Sequence, residues 1–257
     1  MNRILYKVDA VGIRLPGSDG PQTVLDNLSL EVHEGEVVAI IGRSGVGKTT
    51  LLRVLGGLLR ASSGTVTFDG MPVRAPPTGV VTVFQDFGNA LLPWRTVAHN
   101  AALGLEGRVG LSERRRRVRN ALQMVGLEDS ASELPSQLSG GMSQRVQIAR
   151  ALAVEPKVLL MDEPFGALDA ITKAALQDIL LNVQQHTGAT VVFITHDLDE
   201  AIYLSDRVLV MSGRPGSVTV AMDTEIPRPR DQLATRELAH YLHVRHLLGQ
   251  TLRAEDG

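Results

Sequence analysis

The stretch VVAIIGRSGVGKTTLL, residues 37–52, decides the fold of this 257-residue chain. It opens with the apolar run VVAII, which is typical of a strand buried on both faces of a sheet. GRSGVGKT, residues 42–49, follows directly and has the glycine and lysine spacing of a phosphate-binding loop. A helix is predicted after it, over residues 49–59. A glycine-rich turn without a ligand is the alternative, and the strand–loop–helix context argues against it.

Each residue type in this phosphate loop (residues 42–49) has a chemical use. The glycines allow the backbone to wrap around phosphate groups. Lys48 can reach the β- and γ-phosphates of a nucleotide, and Thr49 can ligate Mg²⁺. The residues predicted to bind the nucleotide here are Gly42, Arg43, Ser44, Gly45, Val46, Gly47, Lys48, Thr49 and Thr50.

Apolar runs that alternate with helix-period segments indicate a mostly parallel sheet covered on both faces. The predicted buried strands are VVAII (37–41), VVTVF (80–84), VLLM (158–161), VVFIT (191–195) and VLVM (208–211). LDNLSLEV and SGTVTFDG, near the N-terminus, alternate and are bounded by turns, as antiparallel strands are. We therefore predict an α/β protein with a P-loop NTPase core, an N-terminal antiparallel β subdomain and a helical subdomain at about residues 87–156.

Helix boundaries follow from capping residues and glycines. One helix is predicted to begin at a Ser112 cap and end at Gly126. Its apolar face is Val118, Ala121, Leu122 and Val125. A second helix is predicted to end at Gly188. Its apolar face is Ile171, Leu176, Ile179, Leu180 and Val183. IPRPRD, from residue 226, interrupts regular structure, and a final helix is expected after it.

Polar side chains end several of the predicted strands. Asp162 suits a Mg²⁺ contact and Glu163 suits a general base that polarises water. Gln85 and His196 follow two other strands. Because ligands bind at the carboxyl ends of parallel strands, we expect Gln85 to coordinate Mg²⁺ and His196 to contact the γ-phosphate. Taken alone, an Asp–Glu pair can be an ordinary strand end, and a single histidine is more often structural.

A second anion-binding element is predicted in QLSGGMSQRVQIARAL, residues 137–152. Two glycines stand ahead of an amphipathic helix, where unpaired N–H groups and the helix dipole suit an anion. The chain therefore holds two phosphate-binding elements about a hundred residues apart.

With the phosphate loop, FQD, LSGGMSQ, MDEP, ALD and ITHD in this order, the chain resembles the nucleotide-binding subunits of ABC transporters over residues 4–230. The resemblance implies that Ser139, Gly140 and Gly141 form a signature loop. It also implies that two ATPase domains pair head to tail, so that the signature loop of one closes on the γ-phosphate of ATP held by the other. Residues 1–225 would form this MgATP-hydrolysing domain, and residues 226–257 a helical tail.

Within that family the stretches around FQDFGNALLPWRTVAHN, DEPFGALDAITK and PRPRD resemble import ATPases for nitrate, sulfonates and taurine. The implied partners are a second copy of the chain, two separate transmembrane permease subunits and, indirectly, an extracytoplasmic solute-binding protein. The implied location is peripheral, on the cytoplasmic face of the inner (plasma) membrane. Trp94 lies either in the core or on the surface that receives a permease segment.

Three positions depart from the family pattern. Met142 replaces the usual Gln of the signature, and Gly166 stands where many relatives have Ser. Leu15 takes the position of the aromatic residue that stacks on adenine, and it offers apolar contact without a π-face. Two other functions stay open: a soluble ABC-type ATPase that acts on ribosomes or DNA, and a nucleotide-binding protein without turnover, which Glu163 argues against.

Composition further narrows the classes of protein to which the chain can belong. A net charge of −2 gives no overall attraction to nucleic acid, and the absence of cysteine excludes a disulfide scaffold. Apolar runs are too short for a membrane helix, so we expect a soluble cytoplasmic chain. ERRRRVR, residues 113–119, is predicted to be a solvated helix face. His240, His243 and His246 are predicted to be surface residues rather than metal ligands.

Overall fold

The computed structural model describes residues 3–17, 20–84, 90–166 and 168–254. Its strands are β1 (Ile4–Gly17), β2 (Gly20–His33), β3 (Val37–Gly42), β4 (Ser63–Phe68), β5 (Met71–Pro72), β6 (Val80–Val83), β7 (Val158–Asp162), β8 (Thr190–Ile194), β9 (Arg207–Ser212) and β10 (Ser217–Asp223). Its helices are α1 (Lys48–Leu55), α2 (Val97–Ala101), α3 (Leu111–Met124), α4 (Gly140–Ala153), α5 (Ala170–Thr187), α6 (Leu198–Leu204) and α7 (Ala239–Ala254).

The strands form two sheets, which confirm the predicted fold class. An antiparallel sheet has the order β2-β1-β4-β5, and a six-stranded sheet has the order β10-β9-β3-β8-β7-β6. Strand pairs of the larger sheet are parallel from β9 to β6, whereas β10 runs antiparallel to β9. All five predicted strands lie in this sheet, and the two predicted antiparallel segments lie in β2 and β4. The prediction that VVTVF is buried is wrong, because it forms the edge strand β6, of which only Val83 is buried.

Alternate residues of the larger sheet face two different cores. Val38 and Ile40 of β3 pack on the side of α1 and the antiparallel sheet. Ala39 and Ile41 pack on the opposite side, with residues of the helices that follow α1. Every residue of β7 and β8 is buried. A strand covered on both faces has apolar residues at nearly every position, which is why these strands can be recognised in the sequence as unbroken apolar runs.

The predicted start of α3 is wrong by two residues. The helix begins at Leu111 after an extended Gly110, so Ser112 lies inside the first turn and its side chain caps nothing. Its predicted end is confirmed: Gly126 has a φ of 67°, and the N–H of Leu127 donates to the carbonyl of Leu122.

Two other helices depart from the prediction at their ends. α1 stops at Leu55 instead of reaching residue 59, because Gly57 has a left-handed φ of 67° and turns the chain against Ala75. α5 ends at Gly188 as predicted, but Ile171 in its first turn is 84% exposed. Thr172, and not Ile171, is the residue of that turn that packs on α4.

The tail, residues 226–254, crosses the core and ends in the predicted final helix, α7. Arg230 donates to the carbonyls of Tyr203 and Ser205 at the C-terminal end of α6, where the helix dipole favours a cation. At the other end of α6, Tyr241 and Arg245 donate to Asp199. The tail therefore holds α6 at both ends.

Surface features agree with their predictions. Glu113 accepts hydrogen bonds from Arg116 and Arg117 on the solvated face of α3. The three histidines of α7 are exposed; they are His240, His243 and His246. Within the ranges that the structure describes, no helix combines the length and the apolar character needed to cross a bilayer.

Candidate nucleotide site

The phosphate loop connects β3 to α1 through positions that admit only glycine. Gly42 and Gly47 have φ values of 149° and 104°, which L-residues with side chains rarely adopt. A Cβ on Gly42 would lie 2.2 Å from the carbonyl oxygen of Met211, and one on Gly47 would lie 2.5 Å from Leu25. The loop is thus fixed by its backbone conformation and by close packing against β9 and β2.

Lys48 opens α1 and turns its side chain back into the loop. Its Nζ lies 2.6 Å from the carbonyl oxygen of Gly42 and 2.9 Å from that of Arg43. Burial lowers the pKa of Lys48, and the charges of Glu163 and Asp162 oppose this shift. An ammonium group has three N–H donors, so one remains for a phosphate oxygen in this arrangement. The loop and its lysine fit a bound polyphosphate.

Asp162 ends β7 and lies in contact with Thr49. Its residue is 5% exposed, and the hydroxyl of Thr49 hydrogen-bonds to its carboxylate. Burial raises the pKa of Asp162, whereas the Thr49 hydrogen bond and the positive charges of Arg53 and Lys48 lower it. A carboxylate beside a hydroxyl supplies the oxygen ligands that Mg²⁺ prefers, so this pair fits the metal.

Glu163 and His196 form a pair at the same edge. Glu163 has a left-handed φ of 45°, and its N–H donates to the carbonyl of Ile194 in the neighbouring strand β8. Its Oε2 lies 3.4 Å from Nδ1 of His196. The His196 side chain is 65% exposed, which argues against the structural alternative for this histidine. A non-glycine residue with positive φ stores strain that is common at functional sites.

The sheet order explains why these groups meet. β8 lies between β3 and β7, and both of its pairings are parallel, so the three strands end at one edge. The edge brings together the predicted residues Lys48, Thr49, Asp162, Glu163 and His196. Gln85 lies outside the described residues.

The signature turn, Ser139–Gly141, lies elsewhere, on α4. Gly140 and Gly141 form the first turn of this helix and do not precede it, and α4 is buried on most sides instead of being amphipathic. The Oγ of Ser139 accepts a hydrogen bond from the N–H of Met142. Ser139 and Gly140 are exposed, whereas a Cβ on Gly141 would lie 2.3 Å from Thr172 of α5. The exposed helix start suits an anion that approaches from outside the chain.

Leu15 lies in the β1–β2 hairpin opposite Gln22 and is half-buried against the core of the antiparallel sheet. The same hairpin supplies Val24 and Leu25, whose side chains contact Gly47. The hairpin is therefore packed against the phosphate loop through β2, whereas Leu15, the residue predicted to meet the base, lies on the paired strand β1.

A buried polar network beside His196 is absent from the sequence predictions. Glu200 of α6 is 3% exposed and accepts a hydrogen bond from Thr195, and its other oxygen lies 2.8 Å from Nζ of Lys173. Lys173 also lies 3.3 Å from Asp197. The partners stand on α5 and α6, so no spacing along the chain signals their contact.

Two aromatic side chains are exposed on either side of residues 85–89. Phe84 is 45% exposed and Trp94 is 73% exposed, so the core interpretation of Trp94 is wrong. Phe84 borders an apolar cavity of about 280 Å³ that also includes Leu103 and Val154. Arg150 of α4 lines this cavity and donates to the carbonyl of Ala90.

Comparison with known proteins identifies a family model and relatives that are similar to this chain in sequence. The family model described as "ABC transporter" matches residues 25–166. The nitrate import ATP-binding protein NrtD of Synechococcus elongatus is 44% identical over 242 residues, which cover 92% of this chain and 87% of that protein. The aliphatic sulfonates import ATP-binding protein SsuB 1 of Xanthomonas axonopodis pv. citri is 48% identical over 217 residues, which cover 84% and 85%.

Solved structures with the same fold are similar over most of the chain. The structure of cbiO1 from Clostridium perfringens, part of the ABC transporter complex cbiONQ, has a TM-score of 0.79 at 31% identity and covers 96% of this chain and 99% of its own. The dimeric post-hydrolysis state of the ATP-binding cassette MJ0796, bound to ADP and Pi, has a TM-score of 0.74 at 33% identity, with coverage of 85% and 98%.

Proposed function

The chain belongs to the ABC transporter family, and on this premise we propose that it hydrolyses MgATP in a head-to-tail homodimer to drive the uptake of a small anion. It is an ATPase and the ATP-binding subunit of an importer. The observation that carries the dimer proposal is the position of the signature turn, exposed on α4, while the phosphate loop lies between β3 and α1.

At the phosphate loop the chain binds and orients the nucleotide. Lys48 keeps its contacts with the loop carbonyls and directs its remaining N–H to the phosphates, and Thr49 and Asp162 would hold Mg²⁺. Gln85 completes this set of ligands in the proposal. Bound Mg²⁺ neutralises the charge that develops on the phosphate oxygens.

Glu163 and His196 act on water and on the γ-phosphate. The Glu163 carboxylate accepts a proton from the attacking water, which makes the water a better nucleophile. The exposed His196 imidazole hydrogen-bonds to the γ-phosphate, and its contact with Glu163 keeps both side chains at one edge of the sheet.

The second copy completes each site. Ser139, Gly140 and Gly141 of one chain present the start of α4 to the γ-phosphate held by the other chain. ATP therefore stabilises the closed dimer, since it is bound by groups from both chains. Hydrolysis removes this bridging charge and lets the dimer open.

We assign the apolar cavity bordered by Phe84 to the permease subunit, together with the exposed Trp94. Exposed aromatic residues beside an apolar concave surface are typical of protein interfaces. In this arrangement the chain is peripheral on the cytoplasmic face of the plasma membrane, and a solute-binding protein outside delivers the solute.

The nitrate and sulfonate import proteins among the relatives favour a small anion as the solute. They also favour this proposal over a soluble ABC-type ATPase that acts on ribosomes or DNA. Residues 1–225 form the ATPase domain in this proposal, and residues 226–257 form its tail.

Mixed dimers of two inactive variants test the composite site. A Lys48→Ala chain and a Ser139→Arg chain each lack one half of every site in their own homodimers. In the mixed dimer, one site combines the intact phosphate loop of the Ser139→Arg chain with the intact signature turn of the Lys48→Ala chain. We expect orthovanadate to trap about one nucleotide per mixed dimer and almost none in either homodimer. Trapping equal to the sum of the homodimers would refute the head-to-tail arrangement.

A further inference from the structure

The ion pair between Lys173 and Glu200 is partly buried and lies beside the nucleotide edge. Their charged atoms lie 2.8 Å apart, with the Glu200 side chain 4% exposed and the Lys173 side chain 25% exposed. Burying a charged pair costs desolvation free energy, so the presence of such a pair is weak evidence for a gain in stability. Its location therefore needs a functional explanation.

On one side this pair fixes the loop that carries His196. Glu200 accepts a hydrogen bond from the hydroxyl of Thr195, and the same hydroxyl accepts one from the N–H of Asp197. The carboxylate of Asp197 lies 3.3 Å from Lys173. The residues immediately before and after His196 are thus both held by the pair.

On the other side the pair is connected to the signature turn through the first turn of α5. Lys173 lies in the first turn of α5, where its N–H donates to the carbonyl of Asp169. Thr172, its neighbour, packs so closely on Gly141 that a Cβ there would lie 2.3 Å from the threonine methyl group. A displacement of the signature turn consequently moves the first turn of α5, which carries Lys173.

We propose that Lys173 and Glu200 are positioning residues that couple the signature turn to the His196 loop, and so couple the two nucleotide sites of the dimer. The inference rests on the proposed head-to-tail dimer. There His196 serves the nucleotide of its own chain, whereas the signature turn serves the nucleotide of the partner. Closure of one site then adjusts the histidine at the other site through α5 and α6.

In the mixed dimer with one complete site, the effect of Lys173 on the His196 loop can be measured separately from its effect on the signature turn. The complete site takes His196 from the Ser139→Arg chain and the signature turn from the Lys48→Ala chain. Lys173→Met is added to either chain, and vanadate trapping is measured. We expect trapping to fall by about threefold or more in both placements, because Lys173 pairs directly with the His196 loop and is joined to the signature turn through its neighbour Thr172.

Trapping reduced only when Lys173→Met accompanies Ser139→Arg would limit Lys173 to its own His196 loop and overturn the coupling. Unchanged trapping in both placements would overturn the positioning role entirely. If the parent mixed dimer traps nothing, the proposed dimer fails and the coupling fails with it, which distinguishes the two proposals.

Matched variants exclude a general loss of structure. Arg245→Met removes another long cation that pairs with the first turn of α6, at Asp199, but Arg245 lies on α7 in the tail and not on α5. It should leave trapping unchanged. Lys173→Arg retains the charge and should restore trapping, and Glu200→Gln should reproduce the defect while its amide oxygen still accepts from Thr195. A defect in Arg245→Met equal to that of Lys173→Met would contradict the assignment.

Discussion

Asp162 shows at the scale of one residue how a binding site lowers the stability of the protein. Burial raises its pKa above the ordinary 3.8, so the folded state holds the proton more tightly than the unfolded chain does. Ionisation therefore costs folding free energy as the pH rises through 3.8 and then through the higher folded value. At neutral pH the carboxylate destabilises the nucleotide-free protein.

Asp162→Asn removes that cost and keeps an acceptor for Thr49. Without nucleotide at neutral pH, the midpoint of thermal unfolding should rise, and the gain should shrink as the pH falls towards 3.8. The extra stabilisation by MgATP should also decrease, because an amide is a weaker Mg²⁺ ligand. Asp129→Asn, at an exposed position, is the control and should change neither quantity. A lower midpoint without nucleotide would contradict the argument.

Leu15 is the second residue at which a single substitution should change nucleotide binding. Leu15→Tyr supplies the π-face that this position lacks, and stacking on adenine should tighten ATP by roughly 0.5–1.5 kcal/mol. Titration with ATP and with GTP measures the gain and the discrimination between the bases. If neither affinity changes, the base is held by another part of the site.

At the scale of elements, Arg230 makes the tail part of the core. Its side chain is 1% exposed and donates to three carbonyl groups, those of Tyr203, Ser205 and Ile226. Arg230→Met leaves these acceptors unsatisfied and should lower the free energy of unfolding by about 2–4 kcal/mol, measured by urea denaturation. Arg228→Met, on the same segment, removes a half-exposed ion pair with Asp206 and should cost less than about 1 kcal/mol. Equal losses would show that charge, and not the caps on α6, explains the effect.

The same scale shows what the sequence can and cannot predict. Strands such as β7 are legible because burial on both faces requires an unbroken apolar run. That polar residues at the ends of parallel strands meet can also be predicted from the sequence, since strand order alone places Asp162 and His196 at one edge of the sheet. The Lys173–Glu200 pair is not legible, because it depends on how α5 and α6 pack. The predicted Ser112 cap is wrong because the N-cap is Gly110, two residues earlier, and no side-chain hydrogen bond marks this helix start.

At the scale of the whole molecule, Glu163 should link the hydrolysis of ATP to the opening of the dimer. Glu163→Gln keeps the contacts of the phosphate loop, but its amide cannot accept the proton of water. Hydrolysis should fall by about 100-fold or more, and the variant should accumulate as a dimer with MgATP by light scattering. Glu237→Gln, in the exposed part of the tail, is the control and should remain like the unmodified protein. Hydrolysis at the original rate in Glu163→Gln would remove Glu163 from the base role.

The alternation along the larger sheet has an evolutionary consequence. Val158 and Leu160 of β7 belong to the core that supports the phosphate loop, whereas Leu159 and Met161 belong to the core that carries the cavity bordered by Phe84. Substitutions at odd and at even positions of this strand therefore fall in different cores. The packing around the cavity can change in sequence while the packing beneath the phosphate loop is kept.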